Sequence, residues 1–190
     1  MKMLDIVNAL RLNGMQVFRV NDVARLTGKP KAYVYLQLSK SRMVSRAQNG
    51  IYYLNDADPM AVASSITSPS YISLISAFSY YKMIDQVPNE IKVLTTKRHR
   101  PVQNVHNFGI EFRTVKVELM YGYSNRRGVV VADIEKAIVD SLYLSEDTKY
   151  IGEVMENAAG DLDSLKLLDY ASRSGVSVIA AKVKRLLKGV

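Results

Sequence analysis

Apolar residues recur at helical spacing near the start of the chain. Met3, Ile6, Val7, Leu10 and Leu12 fall close to i, i+3, i+4, i+7, and Asn13-Gly14 closes the run, which predicts a first helix over 3–13. Val17-Phe18-Arg19-Val20 reads as a short extended piece. Asn21 is placed to cap a second helix, its side-chain oxygen accepting from the free N–H groups of the first turn, with Asp22 adding a favourable charge at that positive end. This helix holds Val23, Ala24 and Leu26 and stops at Thr27-Gly28. Lys29-Pro30 opens a third helix, with proline at the first helical position, where its missing N–H costs nothing. From Lys31 to Arg42 the spacing buries Val34, Tyr35 and Leu38 and turns Tyr33, Gln37 and Lys40 to the opposite side. Two β-prone runs follow, Met43 to Gln48 and Ile51 to Leu54, joined by Asn49-Gly50, a hairpin signal because both residues tolerate positive φ.

Helix, short strand, helix, tight turn, helix, hairpin is the element order of a winged helix-turn-helix. The turn-rich stretch Asn55-Asp56-Ala57-Asp58-Pro59 then divides residues 1–57 from 58–190. Pro59 to Tyr81 is a run of 23 uncharged residues with seven serines and Pro69 near its middle. A membrane-spanning helix needs about 20 predominantly apolar residues, so the pattern predicts two short buried helices, 59–67 and 70–84, split at Ser68-Pro69. Ile91 to Thr95 reads as a strand. Phe108–Val115, Lys116–Tyr121 and Val129–Val131 alternate like antiparallel strands, with Arg126-Arg127-Gly128 as a hairpin tip. Four helices complete the chain: 133–144, 149–158, 162–173 and 175–188. The expected fold class is α+β: an N-terminal winged helix-turn-helix, then a larger α+β domain with a small, mostly antiparallel sheet and C-terminal helices.

Charge sharpens this picture. The 190 residues carry a formal net charge of +8, and +6 of it lies in residues 1–57. That segment holds nine basic residues and only three acids, Asp5, Asp22 and Asp56; the first glutamate is Glu90. Such one-sidedness points to a polyanionic partner. A recognition helix lies in the major groove with its N-terminal residues at base edges, while flanking cations neutralise phosphates. The candidates for DNA contact are therefore Lys29, Lys31, Tyr33, Gln37, Lys40 and Arg42 on and around the helix, and Arg46, Gln48 and Asn49 on the wing. Gln37 has the donor–acceptor pair to read adenine N6/N7. The expected partner is double-stranded DNA, bound by a dimer or at paired sites; a basic face used against protein is the competing reading.

The second part offers less. Its cysteine count is zero, and its two histidines, His99 and His106, are isolated, which leaves no thiolate metal site and no Cys nucleophile. No phosphate-binding glycine loop, nucleophile elbow or HExxH motif is present. The expectation is a protein with no catalytic role, metal or cofactor, cytoplasmic and without a membrane segment. Glu135, Lys136 and Asp140 share one predicted helix, and paired acids with a lysine suit acid–base or metal chemistry; read structurally, Lys136 and Asp140 form a helix-surface i, i+4 ion pair. Lys97, Arg98 and Arg100 form a dense basic cluster after a strand, which is either a phosphate-binding group or an exposed loop. Together these residues define the alternative, a nucleotide- or nucleic-acid-modifying enzyme.

Three blocks together resemble the AbiEi-type antitoxin and transcriptional-regulator family: Tyr33-Val-Tyr-Leu-Gln-Leu-Ser-Lys40 with Met43 to Leu54; Pro69-Ser-Tyr-Ile-Ser-Leu-Ile-Ser-Ala-Phe78 running on to Met83-Ile84-Asp85-Gln86; and Val131-Ala-Asp-Ile-Glu-Lys-Ala-Ile-Val-Asp140. The resemblance covers roughly residues 1–145, and its specific part is the order and spacing of all three. It implies an N-terminal DNA-binding domain that represses its own operon and a C-terminal domain with antitoxin activity against a nucleotidyltransferase-like toxin, countered directly or indirectly. The chain departs from the family pattern in three places, carrying Asn49 where the wing commonly has a basic residue, Phe78 after Ser76-Ala77, and Asp133-Ile134 before Glu135-Lys136.

Overall fold

The amphipathic pattern of the first residues is realised as helix α1 (Met3–Leu12), which buries Ile6, Val7 and Leu10. The Asp5 carboxylate accepts from the Lys2 backbone N–H at 2.6 Å and so satisfies a donor at the helix start. The computed structural model describes residues 2–48 and 50–188 of the chain. Strand β1 (Val17–Arg19) runs directly into α2 (Val20–Thr27). Asn21 is not its cap: Arg19 is, so the helix starts two residues earlier than expected, and Asp22 reaches back to the Arg19 N–H at 2.8 Å from inside the first turn. Gly28 ends α2 in the left-handed conformation, φ 67°, which glycine adopts without Cβ strain. Helix α3 (Lys31–Lys40) follows, with Pro30 just outside it as the N-cap rather than at its first position. Strands β2 (Val44–Gln48) and β3 (Ile51–Leu54) form the expected hairpin, and β3 pairs antiparallel with both β1 and β2, giving the order β1-β3-β2.

One part of the α3 pattern is overturned. Val34 and Leu38 are buried, but Tyr35 is 53% exposed. Only Val34 and Leu38 of α3 are buried, and Tyr35, about 100° around the helix from Val34, falls outside that stripe.

The remainder is built on a six-stranded mixed sheet, larger and less antiparallel than expected, in the order β6-β7-β5-β4-β9-β8. Its strands are β4 (Ser70–Ile72), β5 (Glu90–Thr95), β6 (Val102–Val105), β7 (Phe108–Thr114), β8 (Tyr123–Arg126) and β9 (Val129–Ala132). Pairs β4·β5, β6·β7 and β8·β9 are antiparallel, whereas β4·β9 and β5·β7 are parallel. The helix expected over 70–84 is instead a buried strand, β4, followed by α5 (Leu74–Tyr80). Strands β5 and β9 flank Ser70-Tyr71-Ile72 on both sides, and this non-local pairing overrides local preference. Ser70 is tied down as well, its hydroxyl lying 2.9 Å from the Ser64 carbonyl and 2.7 Å from that of Thr67. The strand expected over 116–121 is a single 3₁₀ turn, Val117–Leu119.

Helices α4 (Pro59–Ser65), α6 (Ile134–Tyr143), α7 (Thr148–Asn157), α8 (Ser164–Arg173) and α9 (Ser177–Leu186) complete the fold, the last four within a residue or two of expectation. Helix α6 is central, every residue from Glu135 to Leu142 being buried. It contacts α5, α7, α8 and α9. The buried apolar residues form one continuous cluster from Ile6 to Val183. Across the junction Tyr53 of β3 meets the His106 ring edge-on at 5.0 Å, while Arg11 pairs with Asp56 at 2.6 Å within the first part. The fold is α+β, and among the described residues no helix is long and apolar enough to cross a membrane.

Candidate functional site

The three acids of the N-terminal region are all engaged within it. Asp5 caps α1, Asp22 holds the Arg19 N–H and pairs with Arg25 at 2.7 Å, and Asp56 pairs with Arg11. Lys29, Lys31, Lys40 and Arg42 are exposed, and among the described residues none of them has an acidic partner. These four cations bracket α3: Lys29 in the turn before it, Lys31 and Lys40 at its two ends, Arg42 just past it. Asn21, Ala24, Arg25, Lys29, Pro30 and Lys31 line a groove of about 550 Å³ between α2 and the start of α3.

The other predicted DNA contacts are placed less favourably. Tyr33 and Gln37 are only half-exposed, since they lie on the flank of α3 next to the buried stripe. Arg46 is exposed on β2, and its Nε donates to the Gln48 carbonyl at 3.3 Å; Gln48 itself is half-buried. Asn49 lies outside the described residues. Ala32, Tyr35, Leu36 and Ser39 are exposed along α3 and were missed, although their angular distance from Val34 and Leu38 follows from the helical repeat alone.

In the second part the sequence candidates separate. Lys136 and Asp140 do form the i, i+4 pair, but it is sealed in the core rather than on a helix surface, with side-chain exposures of 0% and 1%. The Asp140 carboxylate also accepts from Ser73 Oγ at 2.8 Å and Tyr71 Oη at 3.1 Å. The Lys136 ammonium sits 4.7 Å from the centre of the Tyr121 ring and 5.5 Å from that of Tyr71. Burial pushes Asp140 above the usual carboxylate range and Lys136 below the usual lysine range, and each charge opposes that shift in the other. Burial, and then the Asp140 charge, raise Tyr121 to about 12 and Tyr71 far above its ordinary value.

Glu135 faces the other way. It accepts from the Asp163 backbone N–H at 3.0 Å and from Lys166 at 3.0 Å. Partial burial pulls Lys166 down, but its hydrogen bonds to Asp133 and Glu135 outweigh this and hold it above its ordinary value. With Tyr81, Arg126 and Asp161, these groups line an open cleft of about 330 Å³. Lys97, Arg98 and Arg100 are exposed in the loop after β5, where the Lys97 ammonium donates to the Ser68 carbonyl ahead of β4. Asp140 binds Ser73 beyond the opposite end of that strand. The structure therefore does not bring the basic loop, Glu135 and the Lys136–Asp140 pair to one site.

Gly122 supports the buried pair from outside. Its φ is 67°, and a Cβ there would lie 2.7 Å from Tyr170 Cε2 and 3.1 Å from Lys136 Cβ. Gly122→Ala is expected to lower stability by about 2 kcal/mol or more through positive-φ strain and overpacking. A urea denaturation curve with an unchanged midpoint would contradict this placement.

The chain matches no protein-family model, and no curated protein matches its sequence.

Proposed function

We propose that the chain is a DNA-binding transcriptional regulator whose residues 2–57 act as a winged helix-turn-helix, with α3 as recognition helix and β2–β3 as wing. The observation that carries this reading is the state of the charges. Every acid of the region is engaged internally, while Lys29, Lys31, Lys40 and Arg42 stand exposed along one helix and its flanks with no acidic partner among the described residues. A duplex presents a row of phosphates to such a cluster of cations. The helix order supports the same reading, because the tight α2–α3 turn with Gly28 at positive φ is what a helix-turn-helix uses to cross its two helices.

The experiment is duplex binding followed by fluorescence anisotropy, at a salt concentration of about 0.1 M. Lys31→Ala with Lys40→Ala is expected to weaken binding roughly 10- to 60-fold, about equally on all sequences, because each lost phosphate contact forgoes one counterion release. Unchanged affinity would remove α3 from the interface. The resemblance adds a finer reading, that the regulator is the antitoxin of a pair with a nucleotidyltransferase-like toxin. Its test is whether coexpression relieves the growth arrest such a toxin causes.

A further inference from the structure

The outward face of α3 is not uniformly polar. Leu36 is 46% exposed and Tyr35 53% exposed, on a helix that buries only Val34 and Leu38. Leu36 is two residues from each buried position, so at 3.6 residues per turn it stands roughly 160° around the helix from both. It is the residue that points most directly away from the protein. Ala32 and Ser39, four residues before it and three after, lie on the same exposed face and are small. Lys40, four residues after Leu36, lies on this face, Lys31 is exposed in the first turn of the helix, and no acidic residue occurs anywhere between Asp22 and Asp56.

An apolar protein groove would satisfy Leu36 but leave the surrounding cations desolvated and without counter-charge. The partner that offers an apolar contact between two anionic walls is the DNA major groove, where the thymine 5-methyl projects from the base edge. We propose that Leu36 is the specificity-determining residue of the interface and reads a thymine methyl. Ala32 and Ser39 keep the helix surface low enough for Leu36 to reach the base edges, and Tyr35 packs at the side of the same step. Half-buried Gln37 is displaced from the reading position by the helical repeat. This assignment rests on the DNA-binding reading above.

The test starts from selection of a random-sequence duplex pool by the full chain. The enriched duplex is then remade with deoxyuridine replacing thymidine one position at a time, which removes only the methyl group. The wild-type chain is expected to lose about fourfold in affinity at one position, the value of burying one methyl group. Leu36→Ala should bind the thymidine and deoxyuridine duplexes equally, with the weaker of the two wild-type affinities. Since Leu36 is exposed, the variant should melt at the wild-type temperature, which separates loss of reading from loss of fold. Tolerance of deoxyuridine at every position, or a methyl dependence that survives in Leu36→Ala, overturns the proposal. Salt-sensitive binding without any enriched sequence overturns it too, while leaving the DNA-binding reading intact. Absence of duplex binding at any salt concentration overturns both.

Discussion

Asp140→Asn is expected to destabilise the fold by about 3–5 kcal/mol, the cost of leaving one partner of a buried ion pair uncompensated. Asparagine retains an acceptor for Ser73 and Tyr71, so the loss isolates the charge itself. Without the carboxylate, the Lys136 ammonium is left in the core among aromatic rings. Burial already holds Lys136 below the usual lysine range, and its removed partner was the main influence acting the other way. In the variant, the folded chain therefore gives up the Lys136 proton at a lower pH than the unfolded chain does. The unfolded state binds more protons over that interval, so stability should rise with pH towards about 10.5, the ordinary lysine value. Adding Lys136→Met to Asp140→Asn should restore most of the loss, because an apolar side chain of similar length fills the site and no charge remains to bury. Urea denaturation of the three variants at neutral and alkaline pH measures all of this. A single Asp140→Asn change within about 1 kcal/mol of wild type would mean that the pair is accessible to water.

What that pair does in the wild-type fold follows from its partners. Asp140 on α6 takes hydroxyls from Tyr71 within β4 and Ser73 just after it, and Ser73 in turn donates its backbone N–H to the Lys92 carbonyl of β5. One carboxylate thus fixes the position of the central helix against two neighbouring strands. The same chain segment has Ser76 Oγ accepting from the Lys92 N–H at 2.9 Å, so the serines of the uncharged stretch serve as close-range hydrogen-bonding partners as well as small packing residues.

The contrast between the two parts explains what the sequence could disclose. In the first sixty residues, elements follow from local signals: the α1 stripe ended by Asn13-Gly14, Gly28 at positive φ, and β-prone runs on either side of Gly50. The capping residue of α2 was misread because Asp22 and Asn21 are both suitable types, and only the path of the chain out of β1 selects between them. Later strands escaped for a different reason. Strands β6 and β8 are the two edges of the six-stranded sheet, and Tyr123-Ser124-Asn125-Arg126 is mostly exposed with no alternation to betray it. Strand β4 is concealed by the opposite circumstance: its three residues, Ser70-Tyr71-Ile72, are all buried, so no exposed–buried alternation marks it. Spacing disclosed that Lys136 and Asp140 meet. Their burial was not legible, because Tyr71 and Ser73 arrive from 69 and 67 residues away.

Salt should control duplex affinity more strongly than any single substitution in α3. Lys29, Lys31, Lys40 and Arg42 are the exposed cations on and beside α3, and among the described residues none of them has an acidic partner. Four phosphate contacts release four sets of condensed counterions, and the slope of log affinity against log salt is then about −3.6. Raising salt from about 50 to about 200 mM should weaken binding roughly 150-fold on this count alone. Arg46, on the wing, steepens the slope if it too reaches the backbone. The variant Lys31→Ala with Lys40→Ala should lower the slope by about 1.8, so its disadvantage against wild type shrinks roughly 12-fold across the same range. That convergence is specific to phosphate contact. A loss caused by misfolding would persist at every salt concentration, and an apolar interface to protein would show little dependence at either end. Equal slopes for the two chains would therefore remove Lys31 and Lys40 from the phosphate backbone, even if the variant binds more weakly.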